Sequence, residues 1–212
     1  SLFAGMSFPN VSASEVVITD AIEVTPDGAF SDRMVSVDAD SQGNTHFVWS
    51  RNTQHLYYKM LDPRGEVLID DTKISNAGAH RAWHPDIRVD HNDMVHITWT
   101  DKAGQWTIMY TLIDPSLDDQ NGDQSTDSAI TIINDFEVSS HPQNRDWPAI
   151  DVDSANDPHI VWQDSYEPLD KFYQQPQIYY AMLDPDVISR TVEFAVGETL
   201  LTPIIGHKGH PD

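Results

Sequence analysis

Asp153-Ser-Ala-Asn-Asp-Pro-His159-Ile-Val-Trp162 occurs in this chain three times. Asp90-His-Asn-Asp-Met-Val-His96-Ile-Thr-Trp99 and Asp40-Ser-Gln-Gly-Asn-Thr-His46-Phe-Val-Trp49 align with it without a gap. Each copy has Asp first, a turn-forming pair behind it, His seventh and Trp tenth, so the chain is an internal repeat. Working outward, a short apolar alternation precedes each copy: Val35 and Val37, then Pro85, Ile87 and Val89, then Pro148, Ile150 and Val152. An aromatic strand follows each Trp, closing at Tyr58, Tyr110 and Tyr180 ahead of Asp62-Pro63, Asp114-Pro115 and Asp184-Pro185. Each unit ends on an apolar residue and a hydroxyl: Ile74-Ser75, Val138-Ser139 and Leu201-Thr202. The Trp residues are spaced by 50 and then 63 residues, most of the excess lying between Trp162 and Tyr180.

Alternation with a period of two marks half-buried strands, and Asp-Pro, Asn-Gly and Asn-Asp mark turns between them. Nothing has helical periodicity. Four short strands in a unit of this size match a β-propeller blade, and such sheets bury their faces only by stacking. The expected fold is therefore all-β. It is a propeller segment of three four-stranded blades, about 33–75, 84–139 and 147–202, in residues 16–212. Residues 1–15 read as an irregular lead-in. Val16 to Thr25 reads as an extra outer strand, and His207 to Asp212, which resembles Arg81 to Asp86, reads as the start of a fourth blade. On this count the 212 residues do not close a ring, and further blades or other copies of the chain are expected partners.

Composition narrows the function. There is no Cys, so neither disulfides nor thiolate chemistry is available. No apolar run is long enough to span a membrane. A formal charge of −22 opposes nucleic-acid binding and fits a solvated acidic surface. No Walker loop, dinucleotide fingerprint, His-Glu-x-x-His or Gly-x-Ser-x-Gly is present.

The order Pro-x-Ile-x-Val-Asp, His-x-x-Trp, Ile-x-Tyr, as in Pro148 to Trp162 and Ile178 to Tyr180, resembles the blades of bacterial exported sialidase-like β-propellers. The resemblance covers nearly all of 16–212, although no copy has the Ser-x-Asp-x-Gly-x-x-Trp spacing of the sialidase Asp-box. It implies an extracellular or periplasmic protein. It also implies that the loops leading into each innermost strand, and those joining second to third strands, open on one face around a central channel.

Residues present in every blade at one register are expected to serve the blade. Asp40, Asp90 and Asp153 should accept backbone N–H groups of the hairpin that follows. His46, His96 and His159 should bond those Asp or a neighbouring strand, and Trp49, Trp99 and Trp162 should wedge between blades. Ligand binding is expected where the copies differ. The loops of the open face carry Arg33, Arg51, Arg81, Trp83, His84, Arg145, Asp146, Trp147 and Tyr166, with Lys102 and Trp106 beside them. Arg forks match carboxylates and phosphates, and aromatic faces stack on sugar rings. A separate stretch, Asp119-Gln-Asn121-Gly-Asp123-Gln-Ser-Thr-Asp127, places oxygen ligands as a calcium loop does, but Gln124 and Ile130 stand where such loops have Gly and an acid. The sequence thus points to a binding or scaffold module for carbohydrate or another anionic ligand, with possible cofactor calcium through Asp119, Asn121, Asp123 and Asp127. The competing class is a sialidase-like glycoside hydrolase.

Overall fold

A computed structural model of the chain describes residues 21–25, 30–75, 81–117, 130–139, 144–165 and 177–202. It contains twelve strands among those residues, forming three four-stranded antiparallel sheets. Sheet one is β1 (Asp32–Ala39), β2 (Thr45–Arg51), β3 (His55–Leu61) and β4 (Val67–Lys73), in that order. Sheet two is β5 (Ala82–Val89), β6 (Val95–Asp101), β7 (Thr107–Ile113) and β8 (Thr131–Glu137). Sheet three is β9 (Asn144–Val152), β10 (Pro158–Ser165), β11 (Gln177–Asp186) and β12 (Thr191–Leu200). Each is a meander whose neighbours in sequence are neighbours in space. The sheets stack face to face, and their innermost strands β1, β5 and β9 approach one another most closely. This is a three-bladed stretch of β-propeller.

The repeated residues explain the stacking. Asp40 Oδ1 accepts the amides of Gln42 and Asn44, Asp90 Oδ1 those of Asn92 and Met94, and Asp153 Oδ1 those of Ala155 and Asp157, at 2.8–3.1 Å. The fourth residue of each turn is left-handed: Gly43 (φ 83°), Asp93 (60°) and Asn156 (71°). Glycine, Asp and Asn are the residues that tolerate this conformation. The other carboxylate oxygen meets the His at 3.4 Å, and the far ring nitrogen meets a Tyr hydroxyl on the third strand. Those bonds are His46–Tyr58 (2.7 Å), His96–Tyr110 (2.8 Å) and His159–Tyr180 (2.8 Å). Burial, and then the charge of Asp90, pushes the Tyr110 phenol well above its usual pKa, so its hydroxyl donates. His96 Nδ1 therefore accepts, and Nε2–H donates to Asp90. Burial at Asp90 works to raise its carboxyl, but the bonds from His96, Met94 and Asn92 outweigh that and hold it below the usual value.

The Trp residues fill the opposite face. Trp99 packs with Ile87 and Ile97 of sheet two against Val48, Leu56 and Tyr58 of sheet one. Trp162 packs with Ile150 and Ile160 against Ile108, Tyr110 and Leu112 of sheet two. Full burial of each such aliphatic side chain contributes about 1.5–3 kcal/mol. Sheets two and three thus turn their Trp towards the sheet before them, and sheets one and two turn their Asp–His–Tyr relay towards the sheet after them. The His side chains record this: His46 and His96 are 1 % exposed, whereas His159, with no described sheet beyond it, is 34 % exposed.

Of the extra outer strand expected over Val16 to Thr25, only residues 21–25 are described, and these carry no strand. Ile22 instead lies hard against Gly65 in the β3–β4 turn, where any side chain at 65 would collide with it, so the segment crosses that turn. Residues 1–20 and the expected fourth-blade start at 207–212 lie outside the described residues.

The relay makes a graded prediction. Replacing His96 by Ala leaves the Tyr110 hydroxyl and Oδ2 of Asp90 without their partner in a dry interface and should cost about 1–3 kcal/mol in urea unfolding. His159→Ala should cost measurably less, because water reaches the same groups there. Equal losses would show that the relay is not what the following sheet buries.

Candidate functional site

The three innermost strands share a backbone device. The β1–β2 pairing is interrupted between Arg33 and Ser36, the β5–β6 pairing between Trp83 and Asp86, and the β9–β10 pairing between Asp146 and Ala149. At each bulge a bulky residue is left-handed: Met34 (φ 56°), His84 (48°) and Trp147 (56°). Such a conformation costs on the order of 1–3 kcal/mol and is held only where surroundings enforce it. The three equivalent residues are neighbours in space. The His84 amide points at Met34 Sδ (3.3 Å), and the His84 ring stacks on Trp147 with centroids 3.7 Å apart and planes 16° from parallel.

Asp146 anchors this stack. Its Oδ1 accepts from His84 Nδ1 (2.7 Å) and from the Trp147 amide (3.0 Å), which fixes the left-handed turn. Its Oδ2 accepts from Lys102 Nζ (2.5 Å), reaching across from the β6–β7 loop. The Lys102 ammonium also lies over Trp106 (3.8 Å) and Trp83 (4.6 Å), favourable positions over an aromatic face. Burial at Asp146 works to raise its carboxyl, but the bonds and charges of Lys102 and His84 outweigh it and hold the group below the usual range. An ionised Asp146 only accepts, so His84 Nδ1 carries a proton. Backbone joins the same two sheets, with the Arg145 amide donating to the Trp106 carbonyl (3.3 Å). The result is a shelf between sheets two and three, with Trp147 61 % exposed on top.

Of the residues singled out from sequence, Trp83, His84, Asp146 and Trp147 come together here, joined by Lys102 and Trp106. Arg33 and Arg81 are exposed at neighbouring positions on β1 and ahead of β5; Arg33 Nε bonds Ser31 Oγ (2.8 Å). Arg51 and Arg145 are not on the shelf surface. Arg51 is buried, forks onto Asp32 (2.8 and 2.9 Å), and reaches Asp71 (2.6 Å). Its bonds to Asp32, against the opposing effect of burial, raise its already high pKa. Arg145 is buried beside Glu198 (3.1 Å) and Asp164 (3.9 Å). Both guanidinium groups are committed to acids within their own sheets. Tyr166 and the loop with Asp119, Asn121, Asp123 and Asp127 lie outside the described residues. Among the described residues no cluster of three or more His, Asp or Glu is arranged to hold a metal.

No protein-family model matches the chain, and neither does any curated protein sequence. Among solved structures it is similar to a thermostable family-43 glycoside hydrolase, at 14 % identity and a TM-score of 0.48. That match covers 82 % of this chain and 53 % of the other. It is also similar to an endo-arabinase from Bacteroides thetaiotaomicron, at 14 % identity and a TM-score of 0.44, covering 73 % and 57 %. The chain spans little more than half the length of either structure, and neither is described as a sialidase. Likeness at this level concerns the fold, and no activity follows from it. No helix among the described residues is long and apolar enough to cross a membrane.

The Asp146 anchor has a pH signature. A carboxyl held low in the folded state contributes stability that is full above its unfolded value, about pH 4, and is lost as pH falls through the folded value. Asp146→Asn should therefore flatten the acid limb of stability against pH by a fraction of one proton, and lower stability at neutral pH. Urea unfolding from about pH 2.5 to about pH 7, across the range in which carboxylates titrate, checks it; parallel curves for both proteins would dissociate Asp146 from the shelf.

Proposed function

We propose that this propeller segment is a carbohydrate-binding module, acting outside the cytoplasm, that holds its ligand on the shelf between sheets two and three. The observation that carries this reading is Trp147: a large aromatic face, mostly open to solvent, braced by His84 at 3.7 Å and fixed through its own amide to Asp146. A rigid, exposed indole is suited to the apolar face of a sugar ring and is costly to maintain for packing alone. The exposed Arg33 and Arg81 near the shelf add charge that favours a ligand bearing carboxylates. The extracellular or periplasmic setting rests on the sequence resemblance to exported propellers.

A glycoside hydrolase is the second reading, and Asp146 favours it as an ionised carboxylate beside the aromatic shelf, although it is buried and both its oxygens already accept, from His84, the Trp147 amide and Lys102. Hydrolysis also needs a proton donor of raised pKa within about 5–10 Å. Asp157 is raised, by burial and then the charges of Asp153 and Asp184, but it sits in the β9–β10 turn at the opposite end of the sheet. Asp86 has both oxygens engaged, by Ser36 Oγ (2.9 Å) and the Ile150 amide (3.0 Å). Neither Asp157 nor Asp86 completes a catalytic pair with Asp146, so binding is the preferred reading.

A glycan array, followed by calorimetry on the best ligand, tests both. Trp147→Ala should weaken binding by about tenfold or more, the loss of one stacking face, with the near-ultraviolet spectrum otherwise preserved. Arg81→Ala should weaken acidic glycans selectively. Turnover of aryl glycosides abolished by Asp146→Asn would favour the hydrolase instead, and an array with no retained glycan, together with no turnover, would sink both.

A further inference from the structure

Contacts between successive sheets repeat a fixed pattern. In the β1–β2 turn the Ser41 amide donates to Asp93 Oδ1 of the next sheet (2.9 Å), and Ser41 Oγ to Oδ2 (2.9 Å). One sheet on, the His91 amide donates to Asn156 Oδ1 (3.3 Å). The donor is the second residue of one turn, and the acceptor is the left-handed fourth residue of the following turn. A second contact runs along the innermost strands between sheets one and two, at a position that Arg88 holds in sheet two. Asp38 divides its oxygens, Oδ1 accepting its own neighbour's amide at Ala39 (2.9 Å) and Oδ2 accepting the Val89 amide of the next sheet (2.8 Å).

Sheet three carries the corresponding groups, one donor and one acceptor, with no further sheet described to meet them. Ser154 occupies the position of Ser41 and His91; its amide is exposed and makes no hydrogen bond among the described residues. Asp151 occupies the position of Asp38. Its Oδ1 accepts the Val152 amide (3.0 Å), as Asp38 does for Ala39, and lies 3.6 Å from Arg88 Nε of sheet two, while its side chain is 84 % exposed and Oδ2 has no donor among the described residues. The relay of His159 and Asp153 on the same face is open to water where its two counterparts are dry.

Sheet one of a second copy does not fit that face. The turn position that must accept from Ser154 is Gly43 there, which has no side chain, and the Ala39 amide that would meet Asp151 is already bonded to Asp38. We propose that the open face of sheet three is a docking surface for a further four-stranded blade of this repeat. That blade is distinct from sheet one and carries Asp or Asn at the position of Asp93 and Asn156. Continuity with two existing interfaces identifies the occupant. Its turn side chain closes on the Ser154 amide, an amide of its innermost strand meets Asp151 Oδ2, and its apolar face covers His159 and Tyr180.

Amide hydrogen exchange on the full chain provides the first test. Ser154 should exchange freely while Ser41 and His91 are protected; protection of Ser154 equal to that of Ser41 would mean the face is already covered and would overturn the proposal. The second test extends the full chain with another copy of its own residues 81–139. Docking should slow Ser154 exchange by about tenfold or more and raise the melting temperature. Asp93→Gly in the appended copy should remove most of the slowing. Appending residues 30–75 instead should fail to slow Ser154 until Gly43→Asp is introduced into that appended segment. Unchanged exchange in the first extension, or equal slowing whatever residue occupies the turn position, would overturn the proposal.

Discussion

A four-stranded sheet has two faces and no interior, so each sheet of this protein is folded only to the extent that its neighbours cover it. The repeat answers with two unlike faces. One is apolar and built on Trp and Ile; the other is polar and built on Asp, His and Tyr. When sheets stack, the apolar face of one closes over the polar relay of the one before. Position 87 in sheet two and its counterpart 150 in sheet three are buried to 0 % and 3 % exposure by this contact, whereas the same position in sheet one, Val37, is 51 % exposed. Identical chemistry is core or surface according to what stands beside it.

The same stacking creates the shelf. The bulges on β1, β5 and β9 turn one residue per sheet out of the ladder, and because the strands lie side by side these residues meet. A bulge that serves only local geometry in one sheet becomes, three times over, a row of Met34, His84 and Trp147. What makes the row a surface instead of a packing detail is its cross-sheet bracing. Asp146 belongs to sheet three, and its partners His84 and Lys102 to sheet two. The shelf therefore exists only once the two sheets have docked.

Much of this was legible in the sequence, for a physical reason. Every blade meets the same burial problem, so Asp40, His46 and Trp49 recur at fixed spacing with the roles their chemistry suggests. The grouping of Trp83, His84, Asp146 and Trp147 was legible as variation between copies, although the structure sets all four on β5 and β9 at the bulges and not in the loops where the sequence placed them. Two things were not legible. Left-handed backbone at Met34, His84 and Trp147 carries no signal, since none is Gly or Asn and the tertiary contacts that enforce it are remote. The fate of Arg51 and Arg145 was hidden as well. An Arg in a loop next to a strand reads as a surface fork, and it is the acids on other strands, Asp32 with Asp71 and Glu198 with Asp164, that draw each one inside.

Those two buried Arg show one further property. In sheet one the innermost strand supplies the acid, Asp32, and the second strand the base, Arg51; in sheet three the innermost strand supplies the base, Arg145, and the second strand the acid, Asp164. The fourth strand adds an acid in both, Asp71 and Glu198. The polarity is inverted, yet in each of these two sets the buried guanidinium meets acids from its own sheet. Removing one member of such a set strands an ion in a dry place, so a single position cannot be exchanged between sheets one and three without its partners. A sheet that drifts in sequence must change the charged residues of its set in concert.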